Sequence, residues 1–170
     1  MRLYSGKIPA VASEIIRSLS DAGDIEVGDV GEAQLDVEAV LKEFLRMERE
    51  ITDRTKDLLE SRSLPYDQFG KIKRAVAEER GFGLGEESLN WICNQILETF
   101  MQSAHVDEIY ADDATMRRKM RDILKKHMQV DEALDEEVRR RIKNLQEGTA
   151  TWEIEYQKVL EQIKRNRGIE

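Results

Sequence analysis

Six apolar residues, Ile8, Val11, Ala12, Ile15, Ile16 and Leu19, recur with unchanged spacing as Leu89, Ile92, Cys93, Ile96, Leu97 and Phe100, a shift of 81 (89 minus 8). Their steps of three and one place each set on one stripe of an α-helix, and such a stripe has to be covered by another element. The recurrence continues. Val37, Val40, Leu41 and Leu45 return as Met120, Ile123, Leu124 and Met128 at a shift of 83 (120 minus 37), with Ile51 returning as Leu134. Phe69, Ile72 and Val76 return as Tyr156, Val159 and Ile163 at 87 (156 minus 69), and Arg80-Gly81 returns as Arg167-Gly168. The shift grows only across loops. Any two helical bundles share a period of about 3.6, but that does not explain the Arg-Gly pair at the end of each unit. The pattern predicts an all-α protein: a helical unit of three to four helices, duplicated and packed about a pseudo-twofold axis.

Local signals fill in each unit. Ser5 is placed to cap the first helix, Pro9 fits in its first turn, and Gly23 ends it. Ile25-Glu26-Val27 alternates like a very short strand, and Val106 opens the matching segment. The helix carrying Val37 to Leu59 either runs through or is recapped at Thr52 or Asp53, and Leu64-Pro65 stops it. Gly81, Gly83 and Gly85 mark a connector that reads as a hinge, giving a first unit at 1–80, a connector at 81–85 and a second unit at 86–170. Late in the chain, Gly148 is placed to end one helix and Thr151 to cap the next.

Charged residues make up 36% of the chain against 10 Gly and 2 Pro, a balance that suits long solvated helices. The net charge of -8 repels nucleic acid and anionic lipid overall. It is unevenly spread: 1–113 carries 13 Lys and Arg against 24 Asp and Glu, and 114–170 carries 14 against 11. One cysteine excludes an internal disulfide and suits the cytoplasm. The opening residues lack a signal-peptide core and charge interrupts every apolar run, so no membrane association is expected.

Several strings carry a family resemblance: Met1-Arg2-Leu3 with Lys7-Ile8, Val106-Asp107-Glu108-Ile109-Tyr110, Leu134-Asp135-Glu136-Glu137-Val138-Arg139, and Ile142-Lys143-Asn144-Leu145 followed by Glu147-Gly148-Thr149, Trp152 and Tyr156. Together they resemble the bacterial domain-of-unknown-function family five hundred and seven over essentially the full chain. The resemblance implies a small bacterial helical protein and carries over no catalytic or binding residue. The first unit has Leu64-Pro65-Tyr66 where the second has the Glu-Gly-Thr turn and the Trp.

No constellation identifies a reaction, and no cofactor is expected. His127 and Asp131 stand one helical turn apart, within reach of one ion, but no third ligand is indicated. Asp112 and Asp113 serve equally as helix caps. Cys93 lies on an apolar stripe, where burial raises a thiol's pKa and keeps it inert. The glycine cluster lacks the Lys-Ser/Thr of a phosphate loop. Trp152 and Tyr156 share a helix face, as core or as an aromatic anchor for a partner. The basic residues Arg117, Arg118, Arg121, Arg139, Arg140 and Arg141 are either solvated faces or, if the helices align them, one patch. The leading expectation is a non-catalytic interaction or scaffold protein that docks a protein partner or a second copy of itself. The alternatives are a nucleic-acid-associated protein using the basic face, and a metal-dependent enzyme around His127.

Overall fold

The computed structural model describes residues 2–147 and 149–168, with the side chains of Val130, Asp131 and Glu153 left aside. Six α-helices and two short strands occur among them: α1 (Ile8–Asp21), β1 (Ile25–Val27), α2 (Val30–Ser61), α3 (Phe69–Glu79), α4 (Glu87–Gln102), β2 (Val106–Ile109), α5 (Asp113–Arg141) and α6 (Ala150–Arg167). The all-helical expectation holds. Helix, strand, helix, helix is the order in each half.

The expected stripe of α1 is wholly buried: Ile8, Val11, Ala12, Ile15, Ile16 and Leu19 are at most 1% exposed. Ser5 does not cap it. The chain makes a 3-10 turn at Ser5–Lys7 first, and α1 opens at Ile8 with no side-chain cap. Pro9 falls in the first turn and has no amide hydrogen to satisfy, which lowers the need for a cap. Gly23 closes α1 in the left-handed region at φ 75°, so that the Asp24 amide reaches back to the Leu19 carbonyl at 2.9 Å.

Of the two readings for the next helix, the continuous one is correct. α2 runs for 32 residues, about 48 Å, straight through Thr52 and Asp53. Asp29 caps it by accepting from the Glu32 amide at 3.0 Å, and Asp112 caps α5 by accepting from the Thr115 amide at 2.7 Å. These caps are 83 residues apart (112 minus 29), the same shift that relates the apolar positions of the two helices.

The short segments after α1 and α4 are strands, and they pair with each other. β1 and β2 run antiparallel with Ile25 opposite Ile109, Glu26 opposite Glu108 and Val27 opposite Val106, with an irregularity between Glu26 and Val27. This ribbon ties the halves together while α1 packs on α2 and α5, and α4 packs on α5 and α2. A single apolar core results, drawing Ile15, Leu41, Phe44, Ile92, Ile96 and Leu124 from both halves.

The last two helices depart from this symmetry. α3 contributes Val76 and Ala77 to the common core, whereas α6 and the end of α5 enclose a separate cluster around Leu134, Val138, Trp152, Tyr156 and Leu160, joined by Tyr4. Thr149, rather than Thr151, caps α6, accepting from the Trp152 amide at 3.2 Å. Gly148 lies outside the described residues. At its far end α6 closes on Gly168 at φ 64°, as α3 closes toward Gly81 at φ 64°.

The connector is not a free hinge. Phe82 is 4% exposed and stacks on Phe44 at 5.2 Å. Gly83 lies so close to the next helix that a Cβ there would run into the Glu87 carbonyl. Glycine serves a close approach at that point.

Candidate functional site

The basic residues of the second half separate into two groups on α5. Because the helix is unbroken, Arg117 and Arg139 lie 22 residues (139 minus 117), about 33 Å, apart along its axis. They do not form one patch. Arg117 donates to Asn94 at 2.9 Å and Arg121 to Asn90 at 3.2 Å, both across the α4–α5 contact. Arg141 pairs with Glu137 one turn earlier at 3.2 Å, and Arg118 and Arg140 are exposed. Other cations of this half meet acids of the first half: Lys119 pairs with Asp24 at 2.5 Å, and Lys126 pairs with Glu14. The charge imbalance along the chain is thus partly neutralised where α5 crosses the first half.

Arg139 is structural. Its Nε donates to Asp135 at 2.8 Å and its two terminal nitrogens grip Glu147 at 2.8 and 3.1 Å, with the guanidinium 5.2 Å from the Trp152 ring. Burial pushes the Glu147 carboxyl up, and the Arg139 contacts outweigh it and hold the group below its ordinary value. Asp135 also accepts from Arg2 at 3.2 Å and from the Tyr156 hydroxyl at 2.6 Å.

Trp152 and Tyr156 are 7% and 1% exposed, stacked at 5.0 Å inside the satellite cluster. Packing is therefore what their placement provides. The Tyr156 hydroxyl lies 2.5 Å from that of Tyr4, and burial, ahead of its bonds to Asp135 and Tyr4, drives its pKa well above the usual phenol value.

The residues weighed for chemistry are held in structural contacts. Cys93 is fully buried, and burial pushes its thiol up to about 11. The ring of His127 lies 2.5 Å from Glu14, whose carboxylate also holds the Lys126 ammonium, a poor neighbour for a metal cation. The Asp131 side chain lies outside the described residues. Among the described residues, no three or more His, Cys, Asp or Glu side chains come together in a metal-holding group. No helix among them is long and apolar enough to cross a membrane.

Sequence reasoning passed over Trp91. It falls one residue off the α4 stripe, so it escapes a search for the stripe itself; a tryptophan at the edge of an apolar stripe is the signal that finds it. The half-buried ring leans on Phe44 at 5.9 Å and Phe82 at 5.2 Å. It also lines a groove of about 280 Å³ between α2 and α4, floored by Ala39 and Val40 and edged by Asp36 and Glu43. A second hollow of about 480 Å³, bounded by Phe82, Leu84 and Glu78, continues from its other side. Leu35 and Met101, 53% and 67% exposed, stand on the same two helices.

The model of the family described as "Protein of unknown function (DUF507)" matches residues 1–169. The chain belongs to this family. The resemblance read from the sequence is thereby established over the full chain, and the family's description supplies no activity. No curated protein matches it.

Proposed function

We propose that this member of the family is a non-catalytic interaction module of the bacterial cytoplasm, built from a duplicated unit at 1–80 and 86–170 joined through 81–85. Duplication is supported by the two aspartate caps at one shift, by the left-handed glycines after α3 and α6, and by the strand pair. An antiparallel ribbon is the arrangement a twofold axis generates: the pair Ile25–Ile109 exchanges with Val27–Val106 when the halves are interchanged.

The observation that carries the docking reading is the difference between the two pseudo-equivalent helix crossings. Where α1 meets α5, Glu14 closes the surface with an ion pair to Lys126 and a hydrogen bond with His127. Where α4 meets α2, Trp91 fronts an open apolar groove with carboxylates at its rim. The occupant that fits is a basic amphipathic helix of a protein partner, its apolar side on Trp91 and Val40 and its Lys and Arg residues facing Asp36, which also accepts from Ser103, and Glu43, for which they would compete with the exposed Arg46.

Purification from the native host of wild type beside Trp91→Ala and Glu43→Lys tests this. A stoichiometric partner whose binding segment is basic, lost with both variants while their circular dichroism is unchanged, supports the reading. Recovery of nothing stoichiometric, a partner indifferent to both variants, or self-association through this face overturns it.

A further inference from the structure

The main core and the satellite cluster do not meet along their whole length. Between them lies a cleft of about 710 Å³, walled by the N-terminal segment, α2, Lys73 of α3 and the α5–α6 pair. Its charge runs against that of the chain. Acids outnumber Lys and Arg overall, 35 to 27, yet this cleft is lined by five cations, Arg2, Arg49, Lys73, Arg139 and Lys164, against Glu48, Asp135 and Glu147. Two of the cations are matched internally: Asp135 takes Arg2 and Arg139, and Glu147 takes Arg139 again. Arg49, Lys73 and Lys164 have no carboxylate within salt-bridge distance among the described residues; Lys164 lies 5.3 Å from the Tyr4 ring and Lys73 lies 5.9 Å from the Phe69 ring.

Elsewhere several cations at element crossings meet a carboxylate directly, as at Lys119–Asp24, Lys126–Glu14 and Arg80–Glu50. Three cations lining one cleft with no carboxylate in direct contact, Lys73 acting on Glu147 only at longer range, raise the local attraction for an anion. The cleft is also large enough for a small metabolite, and Leu3, Leu45 and Leu160 give it apolar wall. The Arg2–Asp135–Arg139–Glu147 chain holds one wall in place, which limits the ordering cost of binding.

We propose that this cleft binds a small phosphomonoester, with Arg49, Lys73 and Lys164 on the phosphate and the organic body along the leucines. The site is independent of the Trp91 groove, and neither reading depends on the other.

Titration calorimetry of the full chain at low ionic strength, with adenosine monophosphate, inorganic phosphate and adenosine as probes, tests it. The expected result is saturable binding of adenosine monophosphate that weakens with added salt, no binding of adenosine, and affinity lower by about tenfold or more in Lys73→Ala/Lys164→Ala. Saturable inorganic phosphate with the same dependence on these lysines also supports the site. Should the double variant fail to fold, exposed Arg49→Ala supplies the same comparison, and Arg118→Ala on the far part of α5 is expected to leave binding unchanged. The proposal is overturned by absence of saturable heat up to about 10 mM of either phosphate probe, by adenosine binding as tightly as its phosphate, or by affinity unchanged in the lysine and Arg49 variants.

Discussion

Oε2 of Glu14, on α1, lies 2.5 Å from Nε2 of His127, on α5, although 113 residues separate them in the chain. The corresponding positions in the other helix crossing are Gln95 (14 plus 81) and Phe44 (127 minus 83). One crossing thus carries two titratable groups where the other carries an amide and an aromatic ring, and several consequences are measurable.

Lys126, ahead of His127 and against the opposing effect of burial, holds the Glu14 carboxyl below its ordinary 4.5. A carboxylate with a lowered folded-state pKa stabilises fully above its unfolded value and loses that contribution as pH falls through the lowered one. Urea midpoints of wild type and Glu14→Gln are therefore expected to differ near neutral pH and to converge as the pH drops below 4.5. With a third of the side chain exposed, the difference is modest. A gap that persists unchanged in acid counts against the ion pair as its source.

Arg139 and Arg140 are neighbours with opposite expected outcomes. Arg139→Ala strips Glu147 of its bidentate partner, removes one of the three donors to Asp135 and uncovers Trp152, costing about 2–4 kcal/mol. Arg140→Ala, at an exposed site, stays within about 0.5 kcal/mol of wild type. Chemical denaturation of both variants decides it, and equal effects would show the network to be idle.

Glycine substitutions separate space from sequence position. Gly83→Ala drives a methyl into the Glu87 backbone carbonyl and is expected to cost about 2 kcal/mol or more. Gly70→Ala, in the first turn of α3 with nothing within 4 Å of the added carbon, is expected to stabilise by about 0.5 kcal/mol. Thermal midpoints moving in the same direction would refute the close approach.

The satellite cluster rests on fewer apolar neighbours than the common core, so native-state hydrogen exchange is expected to proceed faster in α6 than in α1 or α4. Asp135→Ala is expected to accelerate α6 further while leaving α1 unchanged. Uniform protection across all these helices would show that the two clusters unfold as one.

The helices were legible because their apolar residues keep one period throughout: every member of the Ile8–Leu19 and Leu89–Phe100 stripes is buried. Strand pairing was not, since three alternating residues at Ile25 carry no information about a partner some 80 positions away (106 minus 25). The Ser5 cap failed because a 3-10 turn and Pro9 move the helix start, a competition settled by local backbone geometry. For the candidate sites, composition revealed the basic runs and left their neutralisation hidden, because Asp24 and Glu14 reach Lys119 and Lys126 only through the tertiary crossing. Trp91 was missed because its importance lies beside the stripe, at a groove that requires α2 to exist.

The ribbon formed by Ile25–Val27 and Val106–Ile109 also sets a timetable for synthesis. At about 5–20 residues per second, β1 emerges from the ribosome several seconds before β2 can be made. During that interval the nascent first half carries an open strand edge and half of an unfinished core, a surface on which chaperones, or a neighbouring nascent copy of the chain, would act.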